Sequence, residues 1–263
     1  MTPRLHVFIL TYCRRLDLLY GSELIFRTLR VGFPTARVTV VDNASLPEVQ
    51  PRLAALAREQ GCEFRALPAP GVEHAVFLER TLGEVATGEG GTVVFLDPDI
   101  CLWESCEGWQ FDALLAGKRV DAYDDDMLQA VSMPRVHTSF LWVPDARRLW
   151  DEIGRIRAAH FDFRPFLSFS FKLGDAWVRY DTGASLFAAI ADRVAFFTSD
   201  HRDHYDHVYC GSHLDLLEPR MSQALRDLTL TTHRLARDGN LAALKGIWRR
   251  QERVWAEVYR KGA

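Results

Sequence analysis

Apolar and polar positions come in blocks along the first part of the chain. Val7, Phe8, Ile9 and Leu10 form a short apolar run that ends in the polar stretch Thr11-Tyr12-Cys13-Arg14-Arg15, as a buried strand does where it runs out into a loop. Over residues 16–30 the period changes. Leu18, Leu19, Ile25, Phe26 and Leu29 recur near helical spacing and predict a helix, broken by Gly32-Phe33-Pro34. A strand over residues 37–41 ends in Asp42-Asn43-Ala44-Ser45. The next helix is predicted over residues 47–60, with Pro47 in its first turn and Gly61 after its last. A short strand over 62–67 and a helical segment over 71–86 follow. Then Gly88-Glu89-Gly90-Gly91 leads into Thr92-Val93-Val94-Phe95-Leu96, the clearest buried strand of the chain.

Strand–helix–strand alternation with short connections predicts an α/β fold: a mostly parallel central sheet flanked by helices. Ligands on such sheets bind beyond the carboxyl ends of the strands, which directs attention to residues 11–15, 42–45 and 97–99. The second half is less regular. A strand is predicted over residues 138–143 and a helix from Pro144-Asp145 to about residue 159. A further helix over residues 182–192 opens at Asp181, and a strand occupies residues 194–198. Residues 201–213 are dense in His, Asp and Tyr. From residue 218 onward the pattern is helical, with Trp248 and Trp255 on one face among Arg249, Arg250 and Arg253. The expected organisation is a nucleotide-sugar-binding half over residues 1–105, an acceptor-binding and catalytic half over 106–215, and a C-terminal helical tail over 216–263.

Composition narrows the class. The 263 residues are 48% hydrophobic and 25% charged, values of a globular chain that can bury a core without disulfide or metal staples. A net charge of −3 argues against a dedicated nucleic-acid binder. The five cysteines are odd in number and lack CxxC spacing, which points to reduced thiols and a cytoplasmic setting. No bridge is expected between Cys101 and Cys106. The N-terminus shows no signal-peptide pattern, and the most apolar segment, residues 184–197, is interrupted by Asp192 and Arg193.

The strongest chemical signal is Asp97-Pro98-Asp99, two carboxylates one residue apart at the end of the most apolar strand. Such a pair suits a hard divalent cation, Mn²⁺ or Mg²⁺, which keeps room for water and substrate phosphates. The ion would act as a Lewis acid toward a diphosphate leaving group. The alternative is a proline-set turn with two turn-forming aspartates.

Val40-Val41-Asp42-Asn43-Ala44-Ser45 together with Phe95-Leu96-Asp97-Pro98-Asp99 resemble a GT-A-fold glycosyltransferase of the family-2 type. The resemblance covers roughly the first hundred residues. It implies that Thr11, Tyr12 and Arg14 line a nucleotide pocket, that Asp42 accepts a hydrogen bond from the base, and that Asp97 and Asp99 hold the metal and the donor diphosphate. The other reading of Asp42 is a turn or cap residue. In the second half the resemblance makes Asp181 the general base of an inverting transfer, with Tyr180 standing where inverting members carry Glu. Asp181 also suits a helix N-cap. Asp175 and the run Asp124-Asp125-Asp126 are rival carboxylates, the run being expected as a solvated loop. The resemblance further places a histidine metal ligand after the last core strand: His207 first and His213 second, with His201 and His204 in the same cluster.

The implied partners are a nucleotide-diphosphate sugar donor, most often a UDP-sugar, and a carbohydrate, lipid-linked or small-molecule hydroxyl acceptor. Rival readings are a nucleotidyltransferase on a similar sheet, a zinc hydrolase built on the histidines, and a non-catalytic sugar-nucleotide or glycan-binding module. The first is disfavoured because residues 11–15 contain no glycine. Of Trp142, Trp150, Phe161, Phe163, Phe166, Phe169, Phe171 and Trp177, most are expected in the core, with sugar stacking as the alternative use. The residues around Trp248 are expected to pack on the domain, a peripheral membrane contact being the other possibility. Nothing in the sequence fixes an oligomeric state.

Overall fold

The computed structural model describes residues 5–125, 130–208 and 223–247. Asp126, Cys210, His213, Trp248, Trp255 and the arginines between those tryptophans lie outside the described residues. The chain runs β1 (Leu5–Thr11), α1 (Leu19–Gly32), β2 (Arg37–Asp42), α2 (Gln50–Glu59), β3 (Glu63–Ala66), α3 (His74–Thr87), β4 (Thr92–Leu96), β5 (Ile100–Leu102), β6 (Leu115–Val120), β7 (Tyr123–Asp125), β8 (Ala130–Ser132) and β9 (Arg135–Val143). It continues through α4 (Ala146–Ala159), β10 (Phe169–Leu173), β11 (Ala176–Tyr180), α5 (Ala184–Ile190), β12 (Val194–Phe196), α6 (Ser199–Asp203), β13 (Tyr205–His207), α7 (Gln223–Arg237) and α8 (Leu241–Leu244).

The central sheet has seven strands in the order β12-β6-β9-β4-β1-β2-β3. It is mostly parallel, as the alternation of the first half predicts; β2 pairs with β3 and β6 with β12 in parallel. The exception is β9, which runs antiparallel to both β4 and β6. A four-stranded sheet β10-β11-β8-β7 and a two-stranded ribbon β13-β5 complete the strands.

Packing divides the chain into two interleaved units. One holds residues up to 8, 72–96 and 108–198; the other holds 9–71, 97–107 and residues from 199 onward. In the first unit, α3 lies on α4, and Trp150 of α4 packs over Gly83, where a Cβ would stand 2.9 Å from the indole. The helix α4 is capped by Asp145, whose carboxylate accepts the Arg148 N–H at 3.1 Å, in line with the start read from the sequence. An aromatic cluster of Trp109, Phe111, Phe140, Trp142 and Phe197 packs edge-on and face-on, with Trp109 stacked on Phe140 at 5.5 Å.

In the second unit, α1 packs on β5, and the Thr28 hydroxyl accepts the Leu102 N–H at 2.9 Å. Leu24, Cys101, Val208, Leu228, Ala236, Leu244 and Ile247 form a buried cluster that joins α1, the ribbon, α7 and α8. Removing such side chains from water is the main term that holds these helices in place.

The structure departs from expectation in several places. Two residues of the acidic run lie in a strand rather than a loop: Asp124 and Asp125 belong to β7, with Asp124 paired with Val131 of β8. The helix after Asp181 begins at Ala184, because Gly183 turns through φ 83° first, so Asp181 is not its cap. The helix α2 starts at Gln50 rather than Pro47, since Pro51 occupies its first turn. Among the eight aromatics singled out, Phe161, Phe169, Phe171 and Trp177 are exposed, whereas Trp142 and Phe166 are core. Cys13, Cys62, Cys101 and Cys106 are free and buried. No helix among the described residues is long and apolar enough to cross a membrane.

Candidate functional site

Most residues singled out above lie in the second unit. There β1 ends at Thr11 and β2 at Asp42. The Thr11 hydroxyl donates to Asp42 Oδ1 at 3.1 Å, while the Ser45 N–H and the Gln50 amide donate to Oδ2 at 3.2 and 2.8 Å. Thr11 and Asp42 are both 0% exposed. Backbone bonds from Asn43 to Thr11 (2.8 Å) and from Leu46 to Cys13 (2.9 Å) tie the two strand ends together, and the Cys13 N–H donates to the Ser45 hydroxyl at 2.8 Å. Within this lacing Ala44 is held at φ 57°, a region L-residues avoid. Gly71, at φ 84°, abuts the loop so closely that a Cβ would stand 2.6 Å from the Asn43 side-chain oxygen. In this structure the Asp42 carboxylate therefore organises residues 43–46.

Tyr12 and Arg14 stand on the rim beyond β1. The Arg14 guanidinium lies 4.8 Å from the Tyr12 ring centroid and donates to the Pro70 carbonyl at 3.4 Å. Tyr12 is 43% exposed. A cationic group beside an open aromatic ring is suited to a base or to a phosphate.

Asp97 and Asp99 flank the turn that follows β4. The Ile100 N–H bonds to the Asp97 carbonyl at 3.3 Å, and the Ile25 N–H of α1 bonds to the Pro98 carbonyl at 3.0 Å. The ribbon brings β13 across β5 with His207 opposite Ile100, and the Val208 N–H closes on the Asp99 carbonyl at 3.1 Å. His207 Nε2 thereby sits 3.2 Å from Asp99 Oδ1, with both side chains 7% exposed. One ligand atom from each of Asp97, Asp99 and His207 lies within 4.8 Å of the others. Two carboxylate oxygens and an imidazole nitrogen match the donor preferences of a divalent transition ion such as Mn²⁺, so the residues present fit the metal the sequence implies. Next in the strand, Asp206 accepts the Trp103 indole N–H at 2.7 Å and the Gly246 N–H at 2.6 Å, which fastens the histidine-bearing strand to the end of α8. Burial pushes the Asp206 carboxyl above its usual range, against those two donors. Burial also pushes the Cys101 thiol well above its usual range. His201 is held below the usual imidazole range, first by burial and then by His204; His204 bonds the Ser105 carbonyl at 2.9 Å.

Asp181 belongs to the first unit. Its Oδ2 pairs with Arg135 at 3.0 Å; its Oδ1 accepts the Thr182 N–H at 2.9 Å and lies 3.4 Å from Arg179 and 3.5 Å from the Ser168 hydroxyl. The Arg135 side chain is 10% exposed and that of Arg179 31%. Asp175 sits in the exposed turn between β10 and β11, after Gly174 at φ 62°.

Comparison with known proteins returns no matching family model and no matching curated protein. Some solved structures are similar to this chain at low identity. One is the bifunctional glycosyltransferase WbbM, with 12% identity and a TM-score of 0.48 over 89% of this chain and 45% of that one, so this chain spans under half of that protein. A second is the galactosyltransferase LgtC in complex with donor and acceptor sugar analogues, with 13% identity and a TM-score of 0.46 over 89% of this chain and 95% of that one. A third is a nucleoside-diphosphate-sugar pyrophosphorylase from Vibrio cholerae, with 8% identity and a TM-score of 0.45 over 81% of this chain and 99% of that one.

Sequence reading missed the ribbon that pairs His207 with Asp99, because strands of three residues carry no period. It also missed Arg135 and Arg179 as partners of Asp181. No local signal marks Arg135, which lies ahead of the strand read over residues 138–143 and joins it only in the fold, where β9 begins at Arg135.

Proposed function

We propose that this protein is a metal-dependent glycosyltransferase that moves a sugar from a nucleoside-diphosphate donor, most simply a UDP-sugar, to a hydroxyl acceptor. The observation that carries this reading is the convergence of Asp97, Asp99 and His207 at the carboxyl end of β4, with ligand atoms within 4.8 Å. The imidazole favours Mn²⁺ over Mg²⁺, which prefers an all-oxygen shell. When bound, such an ion would neutralise charge on the departing diphosphate. Tyr12 and Arg14 supply an aromatic face and a cation for the nucleotide, on a rim held rigid by the Thr11–Asp42 lacing. Asp42 contributes to nucleotide binding through the loop it orders, and Thr11 through Asp42. His213 remains the second candidate ligand.

Asp181 is the proposed base for the acceptor hydroxyl, with inversion at the sugar carbon. Arg135 and the Thr182 N–H fix the carboxylate. The contacts of Oδ1 to Arg179 and Ser168, at 3.4 and 3.5 Å, are long enough for an acceptor hydroxyl to replace. That hydroxyl would deliver its proton to Oδ1 as it attacks.

The test combines calorimetry with turnover. Wild type should bind Mn²⁺, should bind a UDP-sugar more tightly with Mn²⁺ than in EDTA, and should release UDP from at least one nucleotide sugar. Asp99→Asn should lose Mn²⁺ binding while keeping the thermal transition. Asp181→Asn should keep donor binding and lose transfer. Equal donor affinity with Mn²⁺ and in EDTA would refute the metal role, and undiminished transfer by the Asp181 variant would move the base elsewhere.

A further inference from the structure

The first unit contains a cleft that the metal and nucleotide residues do not use. It has a volume of about 440 Å³ and is lined by Ala130, Ser168, Phe169, Ser170, Trp177 and Arg179. Its construction follows from strand register. In the hairpin β10–β11, Ser170 pairs with Arg179 and Lys172 with Trp177, and Trp177 in turn pairs with Ala130 of β8. Side chains of paired residues share a face, so Ser170, Arg179, Trp177 and Ala130 project to one side. Phe169 pairs with Tyr180, and Phe171 stands two residues along the same strand; these three rings stack on one another, with Phe169 and Tyr180 at 5.0 Å and 3°, and Phe169 also borders the cleft. That ladder stiffens a hairpin that is otherwise exposed.

The cleft face has a specific chemical character. Trp177 is 47% exposed and presents its indole to solvent. Beside it stand the hydroxyls of Ser168 and Ser170, with Ser168 bonded to the Thr182 hydroxyl at 2.9 Å. Arg179 is close to Asp181 but is not needed to hold it, because Arg135 occupies the other oxygen at 3.0 Å. A guanidinium has five N–H donors, and the contact to Asp181 leaves most of them for a ligand. An open indole next to a guanidinium–carboxylate pair and two hydroxyls has two kinds of surface. The flat apolar part matches the C–H face of a pyranose, and the polar part matches its equatorial hydroxyl rim. An acyl chain would leave the polar groups without partners, and an anionic group would meet Asp181.

We propose that this cleft binds a saccharide, with a pyranose ring stacked on Trp177 and its hydroxyls held by Ser170 and Arg179, and that the acceptor is therefore a glycan. The word acceptor rests on the transferase reading above; saccharide binding does not. Trp177 is the specificity-determining residue: it selects a sugar ring over a simple alcohol.

The experiment is a titration without donor or metal. Protein labelled with 5-fluorotryptophan is titrated by ¹⁹F NMR with a panel of methyl α- and β-hexopyranosides and the corresponding disaccharides, with the Trp177 resonance assigned from the Trp177→Phe variant. At least one saccharide should shift the Trp177 signal in a saturable manner. Trp177→Ala should weaken that binding about tenfold or more, as read by calorimetry, and Trp177→Phe should recover part of it. Because Trp177 is exposed, unaltered thermal transitions are expected for both variants. Failure of every saccharide to bind, or equal affinity in wild type and the Ala variant, would overturn the proposal. Saccharide binding in a protein that transfers from no donor would refute the transferase reading and leave this one standing.

Discussion

Asp42 offers a sharp test of how the nucleotide side of the site is built. Its carboxylate is fully buried and accepts from Thr11, Ser45 and Gln50. Asp42→Ala deletes the acceptor for all three donors. Thr11 has a fallback, since its hydroxyl also lies 3.5 Å from the Val41 carbonyl, and half-buried Gln50 can turn to water. The Ser45 N–H has no such escape, and an orphaned buried donor costs about 1–3 kcal/mol. Adding the small cavity and the loss of restraint on Ala44 gives an expected destabilisation of about 2–4 kcal/mol. Asp42→Asn behaves differently. Its oxygen, placed where Oδ2 is, keeps both Ser45 and Gln50. Its NH₂ then faces the Thr11 hydroxyl, which can accept it while donating to Val41. The expected cost is about 1 kcal/mol or less. Urea unfolding followed by circular dichroism measures both values. The Asn variant should retain UDP-sugar binding, because the loop survives. The reasoning fails if the Ala variant is within about 0.5 kcal/mol of wild type, or if the two variants are equally destabilised. An Asn variant that is stable but loses uridine binding would restore direct contact between Asp42 and the base.

Two further outcomes concern stability. Gly117 sits where β6 meets β9, and an added Cβ would collide with Val136 and stand 3.1 Å from the Phe140 carbonyl; Gly117→Ala should cost about 1–3 kcal/mol in urea unfolding, and a neutral result would mean that the bulge between residues 117 and 119 can absorb it. Glu63 is held below its ordinary range, chiefly by the Arg65 hydrogen bond at 2.7 Å, so its stabilisation is present above the ordinary glutamate pKa and is lost as pH falls through the lowered value. Glu63 is 40% exposed, so Glu63→Gln should lower stability by no more than about 0.5 kcal/mol at pH 7 and by nothing at the acid end; parallel pH–stability curves for the two proteins would contradict that sign.

What the sequence determined by itself was the first half. The apolar runs ending at Thr11, Asp42 and Leu96 are local patterns, and burial on both faces of a parallel sheet makes them legible. The pair Asp97 and Asp99 was visible because it follows such a run. What only tertiary structure decided lies where local pattern is silent. β5 and β13 are three residues each and exist because they pair with one another; that pairing, across about a hundred positions of sequence, brings His207 onto Asp99. No local period marks β6; it forms by pairing with β9, whose Val136 fills the space a side chain at Gly117 would take. From its place at a strand end Asp42 reads as a ligand contact or as a turn residue; that its carboxylate is fully buried and held by Thr11 and Gln50 is a fact of the fold. Trp177 looked like core by composition. It is exposed, as are Phe169 and Phe171 of the strand it pairs with, because that hairpin is not sealed into the core on either side; and a side chain's face depends on which strand its own strand pairs with, a fact no single segment contains.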